Sequence, residues 1–534
     1  MALYRLLDTL PVFAGDPRIR RFFTLVPGSD FGVDVLAAID AAGARSLPWD
    51  EACRRTFDLI LTASPKGELR LLRGDRVLLP HGAGFGKTVP SEGGDGLPSG
   101  LSPAHLPADD SALALYALAH PDQVAALAKQ GAELASRARV VGDPTLDRLL
   151  ASRPLRERYR EALGTGGRRL IVLTSTWGPH SLLRQRPDLA AELLARLPYD
   201  GYQCALVVHP NERSLLSDHD LRELLAPAVD AGLLLPAAYE GWAATLVAAD
   251  ALVTDHGSTA LYFAALDERR PVVVATDGGA EVVPDSPVAT LLSGAPRLRR
   301  DCRLPDALAE FRPGPTGDAA RSAFAERGDA LGLLRAELYD LLALDPPHHP
   351  AVARTLPPPA PAVRTAAAFD VHTRVDGPHV TVDRIPAGLG PAGRHLAAEY
   401  GLAGEGFVRT AAVLHRRAAP PPPGPYARTW TAADWTAHAL DTYAACRLAA
   451  VVLPDGRCLA RLRGDDRLWT IHVDPADEGG RRVRVDPAAA LSGLHAWRSA
   501  HHRPPAGELT CTVGGRDHPV RVAPATARDG DLPV

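Results

Sequence analysis

The chain has 534 residues, with 46% hydrophobic and 23% charged side chains and a formal net charge of −4. That length suits roughly three to four domains of about 150 residues, and the charge balance excludes both a basic nucleic-acid binder and a strongly acidic disordered chain. No apolar run reaches the length of about 18 residues that marks a membrane span.

The chain opens with MALYRLLDTLPVFAG, which Arg5 and Asp8 interrupt, so it does not read as a secretory signal. A cytoplasmic protein is expected, with peripheral membrane association left open. Apolar runs at 20–27, 57–64 and 76–82 predict buried strands, and helical spacing covers 32–43 and 50–56. Alternating strands and helices predict a parallel sheet covered on both faces. Residues 91–110 read as an irregular Gly/Pro-rich loop, and SALALYALAHPDQVAALAKQG (111–131) as a helical pattern broken near Pro121.

ARVVGDPTLDRLL (138–150) predicts a strand, a turn and a helix start. A second alternating series follows, with strands at 168–176, 203–210, 232–236, 250–255 and 270–276. Helices fit at 187–196, 218–229, 240–249 and 258–267, and one long helical segment at 317–344. The predicted fold class is α/β, with two Rossmann-like halves facing a cleft (the GT-B arrangement). The predicted boundaries are 1–140 for the first half and 141–344 for the second. Residues 345–365 form a proline-rich semi-rigid linker. Residues 366–534 read as a separate β-rich α+β module with a hairpin around Pro454-Asp455-Gly456 and no defensible chemistry.

The six cysteines form no CxxC pair and predict free thiols. Lysine occurs only as Lys66, Lys87 and Lys129, so arginine clusters carry little weight while a surviving lysine carries more.

Five segments could carry chemistry, each at a predicted strand's carboxyl end. LLPHGAGFGKT (78–88) holds His81, Gly82 and Lys87. A histidine there suits a general base. The same segment nearly matches a phosphate-binding P-loop, although His81 stands at the first glycine position and no helix pattern follows Thr88. VVGDPTLDRL (140–149) places Gly142 and Asp147 around a turn, which turn chemistry alone explains equally well. Ser175 and Thr176 follow a buried strand, where hydroxyls suit a phosphate or a helix cap. His209 precedes Pro210, which holds it extended at a strand tip. Asp255, Gly257, Ser258 and Thr259 lead from a strand into a helix, whose first amides make an anion cradle. Asp255 could equally serve as a cap.

Taken together, these residues resemble the CDP-glycerol glycerophosphotransferase family, the teichoic-acid polymerases and primases. The resemblance spans roughly residues 20–276 and is strongest from Glu240 through Thr276. It rests on His81-Gly82 with Gly86-Lys87, Gly142-Asp143-Pro144 with Asp147, Ser175-Thr176-Trp177, His209-Pro210, and Thr254-Asp255-His256-Gly257-Ser258-Thr259 with Arg270-Pro271. It implies a GT-B transferase using a nucleotide-diphosphate-linked donor, CDP-glycerol or another CDP-polyol, on an acceptor hydroxyl. His81 and His209 would be catalytic. Gly82, Lys87, Ser175, Thr176, Asp255, Gly257, Ser258 and Thr259 would bind the donor, with Gly142, Asp147 and Glu240 in support. No cofactor, metal or nucleic-acid partner is assigned, and metal dependence and the tail's protein partner stay open. Two other readings stand beside it: a degenerate nucleotide-binding scaffold or sensor with a partner-binding tail, and a P-loop NTPase.

Overall fold

The computed structural model describes residues 2–27, 39–40, 42–80, 82–89, 98–101, 106, 111–237, 239–361, 365–418, 429–502 and 507–534. The helix expected at 32–43 lies mostly outside these residues, and His81 lies wholly outside them.

Among the described residues, the chain's first half holds a four-stranded parallel sheet. Its strands are β1 (Thr56–Thr62), β2 (Arg73–Leu78), β3 (Leu113–Leu118) and β4 (Ala138–Val140), in the order β1-β2-β3-β4. The helical reading of 111–131 is corrected here. Ala and Leu favour helix in isolation, but LALYAL is buried between β2 and β4, and the helix begins only at Pro121. The run at 20–27 contributes only an isolated bridge from Phe23 to Ser46.

A second four-stranded parallel sheet comprises β5 (Arg169–Ser175), β6 (Tyr202–Val208), β7 (Ala251–Thr254) and β8 (Val272–Val274), in the order β6-β5-β7-β8. These strands are almost wholly buried, because helices on both faces cover a parallel sheet and leave no polar side. The run 232–236 adds no strand, only a bridge from Leu234 to Ala205. The strand order reverses between β5 and β7. That switch point opens a crevice at the carboxyl ends, where ligands of such sheets bind.

The long helical segment is two helices, Pro313–Ala323 and Ala330–Leu341. Glu326 and Gly328 take positive φ between them and break the run. The second of these helices crosses back to the first sheet: Leu331, Leu334 and Leu338 pack with Val77, Leu79 and Leu115. The proline-rich linker is also anchored. Leu356 is 5% exposed, its amide donates to Ser152 Oγ at 2.9 Å, and its carbonyl accepts from Tyr159 Oη at 2.7 Å.

Nine strands close into a barrel after the linker: β9 (Ala368–Asp376), β10 (His379–Pro386), β11 (His395–Glu399), β12 (Val413–Arg417), β13 (Leu448–Val452), β14 (Cys458–Leu462), β15 (Leu468–Val473), β18 (Gly507–Val513) and β19 (Arg516–Pro524). A small hairpin, β16 (Ala476–Glu478) with β17 (Arg481–Val483), stands outside the barrel. The expected hairpin around 454–456 is the antiparallel pair β13–β14. The helix Pro487–His501 is buried along most of its length among inward-facing residues such as Val371, Val382, Val413 and Leu448. A helix apolar on all sides belongs in a core, so side chains rather than solvent occupy this interior.

Where that helix meets the barrel wall, His395 and His495 stack edge to face with ring centroids 4.7 Å apart. Burial pushes both below the usual histidine range, to about 3 and about 4, and neighbouring positive charge adds to the effect. The unfolded chain titrates near 6.5. Because the folded values are depressed, this contribution to stability is whole above about pH 6.5. It is lost as pH falls toward about 4, with about 1.4 kcal/mol for each pH unit separating the folded and unfolded values. The midpoint of the barrel's urea transition is therefore expected to fall steadily between pH 6.5 and 4, and H395Q with H495Q to flatten that slope. A midpoint independent of pH in the unmodified protein contradicts this reading.

Candidate functional site

The carboxyl ends of both parallel sheets open onto one cleft. Gly82 and Lys87 reach it from the first sheet; Thr176, Trp177, His209, Gly257, Ser258 and Thr259 reach it from the second. The two sides touch closely, since a Cβ on Gly82 would lie 3.4 Å from Ser258 Oγ.

Asp255 organises the switch point. It is 1% exposed, and its carboxylate accepts the amides of Thr176 at 2.7 Å, Leu182 at 2.8 Å and Gly257 at 2.9 Å. One side chain thus fixes the loop after β5, the helix that follows it and the loop after β7. Both of its oxygens already accept backbone amides. Ser175 is similarly internal, accepting the Leu183 amide at 3.0 Å and donating to the Thr176 carbonyl at 3.1 Å.

The helix Thr259–Leu266 begins where these loops end. Among the described residues, no acceptor takes the amides of Ser258 and Thr259, and no partner takes their hydroxyls. A helix start with unfilled amides and the positive end of its dipole favours an anion. His209 adds a donor. Its Nδ1 accepts the Asn211 amide at 3.1 Å as the cap of the helix Pro210–Leu215. In the neutral ring the proton therefore sits on Nε2, which makes this histidine a donor rather than a base.

Lys87 behaves differently from the sequence expectation. Its ammonium lies 3.0 Å from Glu281 Oε2, donates to the Trp177 carbonyl, and sits 4.4 Å from the centre of the Trp177 ring. Lys87 and Thr88 themselves do not begin a helix: they pair as extended backbone with Val282 and Pro98. That geometry lacks the helix N-terminus a P-loop requires. Glu281 also faces His256 Nε2 at 2.9 Å. Burial pushes Glu281 up, but the hydrogen bonds and charge of Lys87 and the hydrogen bond from His256 outweigh it and hold the carboxyl below its usual range. Burial lowers His256, so the neutral ring donates from Nε2. Gly278, at φ +75°, packs against that ring so closely that a Cβ would lie 2.4 Å from it.

Three expected supporting residues sit away from the cleft. Asp147 accepts the amides of Gly328 at 2.7 Å and Ala330 at 2.9 Å, anchoring the helix that crosses back. Glu240 pairs with Arg148 at 2.6 Å, and Gly142 packs against Glu326 and Ala330. Sequence reasoning missed Glu281, which ends the short 3-10 helix Gly279–Glu281 and belongs to no motif; its partner His256 stands inside the Thr-Asp-His-Gly-Ser-Thr segment and offered the only signal. Among the described residues, no group of His, Cys, Asp and Glu could hold a metal ion, and no helix is long and apolar enough to cross a membrane.

No protein-family profile matches this chain, and no curated protein matches it. Several solved structures do. The wall teichoic acid polymerase TagF is 13% identical over 64% of this chain and 84% of its own, with a TM-score of 0.43. A variant of the same polymerase soaked with CDPG is 14% identical over the same shares, also at 0.43. Anabaena Alr3699/HepE in complex with UDP-glucose is 14% identical over 63% of this chain and 95% of its own, with a TM-score of 0.37.

Proposed function

We propose that the chain is a GT-B-type transferase that takes a nucleoside-diphosphate-linked donor and passes part of it to an acceptor hydroxyl. In this reading the two lobes are built from residues 1–140 and 141–344, with the helix Ala330–Leu341 of the second range packed back on the first sheet. The observation that carries this reading is the unfilled pair of amides and hydroxyls at Ser258 and Thr259. They stand at a topological switch point, beside the His209 ring, in a cleft shared by two parallel sheets. The donor set suits a diphosphate, and Gly257 lets a ligand approach the backbone. The sequence resemblance adds CDP-glycerol, or another CDP-polyol, as the donor, in the service of a teichoic-acid-like polymer.

In that reaction His81 takes the proton of the acceptor hydroxyl. The acceptor oxygen bonds to the distal phosphorus while the bond to the inner phosphate's bridging oxygen breaks. The electron pair leaves with the nucleoside monophosphate, whose growing charge meets the Ser258 and Thr259 donors and His209. Catalysis here is positioning and electrostatic stabilisation, as in phosphoryl transfer generally.

Calorimetric titration of CDP and UDP, followed by turnover of CDP-glycerol, tests the reading. A hydrogen bond to a charged group contributes about 1.5–3 kcal/mol, so S258A with T259V is expected to weaken nucleotide binding at least tenfold, and H209Q by a similar factor. No binding of either nucleotide to the unmodified protein at millimolar concentration overturns it. Tight binding without turnover of any donor favours the scaffold or sensor reading instead.

A further inference from the structure

The segment Gly82–Thr88 leaves the first sheet and pairs with the second half of the chain. Val283 donates its amide to the Gly86 carbonyl at 3.1 Å, Thr88 donates to the Glu281 carbonyl at 2.8 Å, and Thr88 Oγ1 donates to the Ala280 carbonyl at 3.0 Å. Lys87 stands in the middle of this ladder, opposite Val282. Its ammonium has the three partners described above, and its side chain is 19% exposed against 4% for Glu281. A lysine free to meet an incoming phosphate would have to abandon a buried carboxylate. That carboxylate would be left with His256, a neutral donor, as its partner, an unfavourable state for a buried charge.

We propose that Lys87 is a positioning residue rather than a phosphate ligand. Through Glu281 it latches the 82–88 segment across the cleft, and through the Trp177 carbonyl and ring it holds the cleft wall beside His209. The latch keeps Gly82 against Ser258 and so brings the acceptor side to the donor cradle. This assignment rests on the transferase reading for its purpose, but not for its geometry. His256 and Gly278 complete it by fixing Glu281: the ring donates to the carboxylate and the glycine leaves room for the ring. Gly178 approaches Glu281 from the other side, where a Cβ would lie 3.1 Å from Oε1.

Hydrogen exchange on the full-length protein tests the latch without any ligand. K87M and E281Q are each expected to speed exchange at the Thr88 and Val283 amides at least fivefold, K87R less than fivefold, and the double variant no more than the faster single one. Exchange in β10 and β18 should stay unchanged, which controls for unfolding. Calorimetry with CDP should give a dissociation constant for K87M within threefold of the unmodified protein. With CDP-glycerol, kcat should fall at least fivefold while KM stays within threefold. A rise in exchange below fivefold for both single variants overturns the latch. A larger loss of CDP affinity in K87M with unchanged exchange makes Lys87 a phosphate ligand instead. If CDP does not bind at all, the transferase reading fails while exchange still decides the latch.

Discussion

Replacing Arg384 by alanine is expected to lower the stability of the barrel and of its junction by about 3–5 kcal/mol, the cost of leaving a buried ion without its partner. Arg384 lies on β10 with its side chain 1% exposed. Its guanidinium forks onto Asp200 at 2.8 and 2.6 Å, reaches Asp486 at 3.1 Å, and stacks 4.4 Å from the Phe369 ring centre. Asp200 belongs to the turn before β6, so this one side chain joins the barrel to the second parallel sheet. The neighbouring Tyr199 amide donates to the Arg384 carbonyl at 2.8 Å, and the Tyr199 and Phe369 rings lie 5.0 Å apart. Alanine would strand Asp200, whose side chain is 5% exposed, while Asp486 keeps Arg417 at 3.0 Å. Urea unfolding followed by tryptophan fluorescence should show the barrel transition shifted to lower denaturant. R384M combined with D200L should recover most of the loss, because an apolar pair of similar volume carries no stranded charge. A loss below about 1 kcal/mol in R384A would place the junction's strength elsewhere, at the level of an exposed ion pair.

The second large effect belongs to Asp255. D255A leaves three inward amides without an acceptor, and each unsatisfied buried group costs about 1–3 kcal/mol. The expected loss is about 3 kcal/mol or more in the second sheet's unfolding transition, together with a loss of nucleotide affinity above 100-fold. The affinity falls because the Thr176 and Gly257 loops lose their register. D255N keeps one oxygen acceptor and should fall between aspartate and alanine in both measurements. A D255A protein with unchanged stability and selectively lost binding would instead make Asp255 a ligand-contacting group.

Much of the second sheet was readable from residue order. Its strands are almost wholly buried, so they appear as apolar runs such as RLIVLTS, and β5, β6 and β7 lead into the residues that line the cleft. The segment LALYAL misled because alanine and leucine favour helix, a preference that burial between two parallel neighbours overrides. The helical segment at 317–344 looked continuous because the break depends on backbone angles at Glu326 and Gly328. Barrel closure left no local trace: β10 pairs with β18 in parallel across about 130 residues of chain, and no short pattern encodes so distant a partner. The same holds for the cleft. Ser258 and Thr259 sit in a motif that marks them in the sequence; Glu281 acts through Lys87, far away in sequence, and no motif marks it. Lys87 stood out as one of few lysines, yet its role depends on Glu281, nearly two hundred residues later.

A crystal structure of the chain with bound CDP decides where the donor sits. The diphosphate is expected at the start of the helix Thr259–Leu266, within hydrogen-bond distance of the Ser258 and Thr259 amides and of His209 Nε2. Nucleotide density on any other surface, or an empty cleft at saturating CDP, would refute the transferase reading.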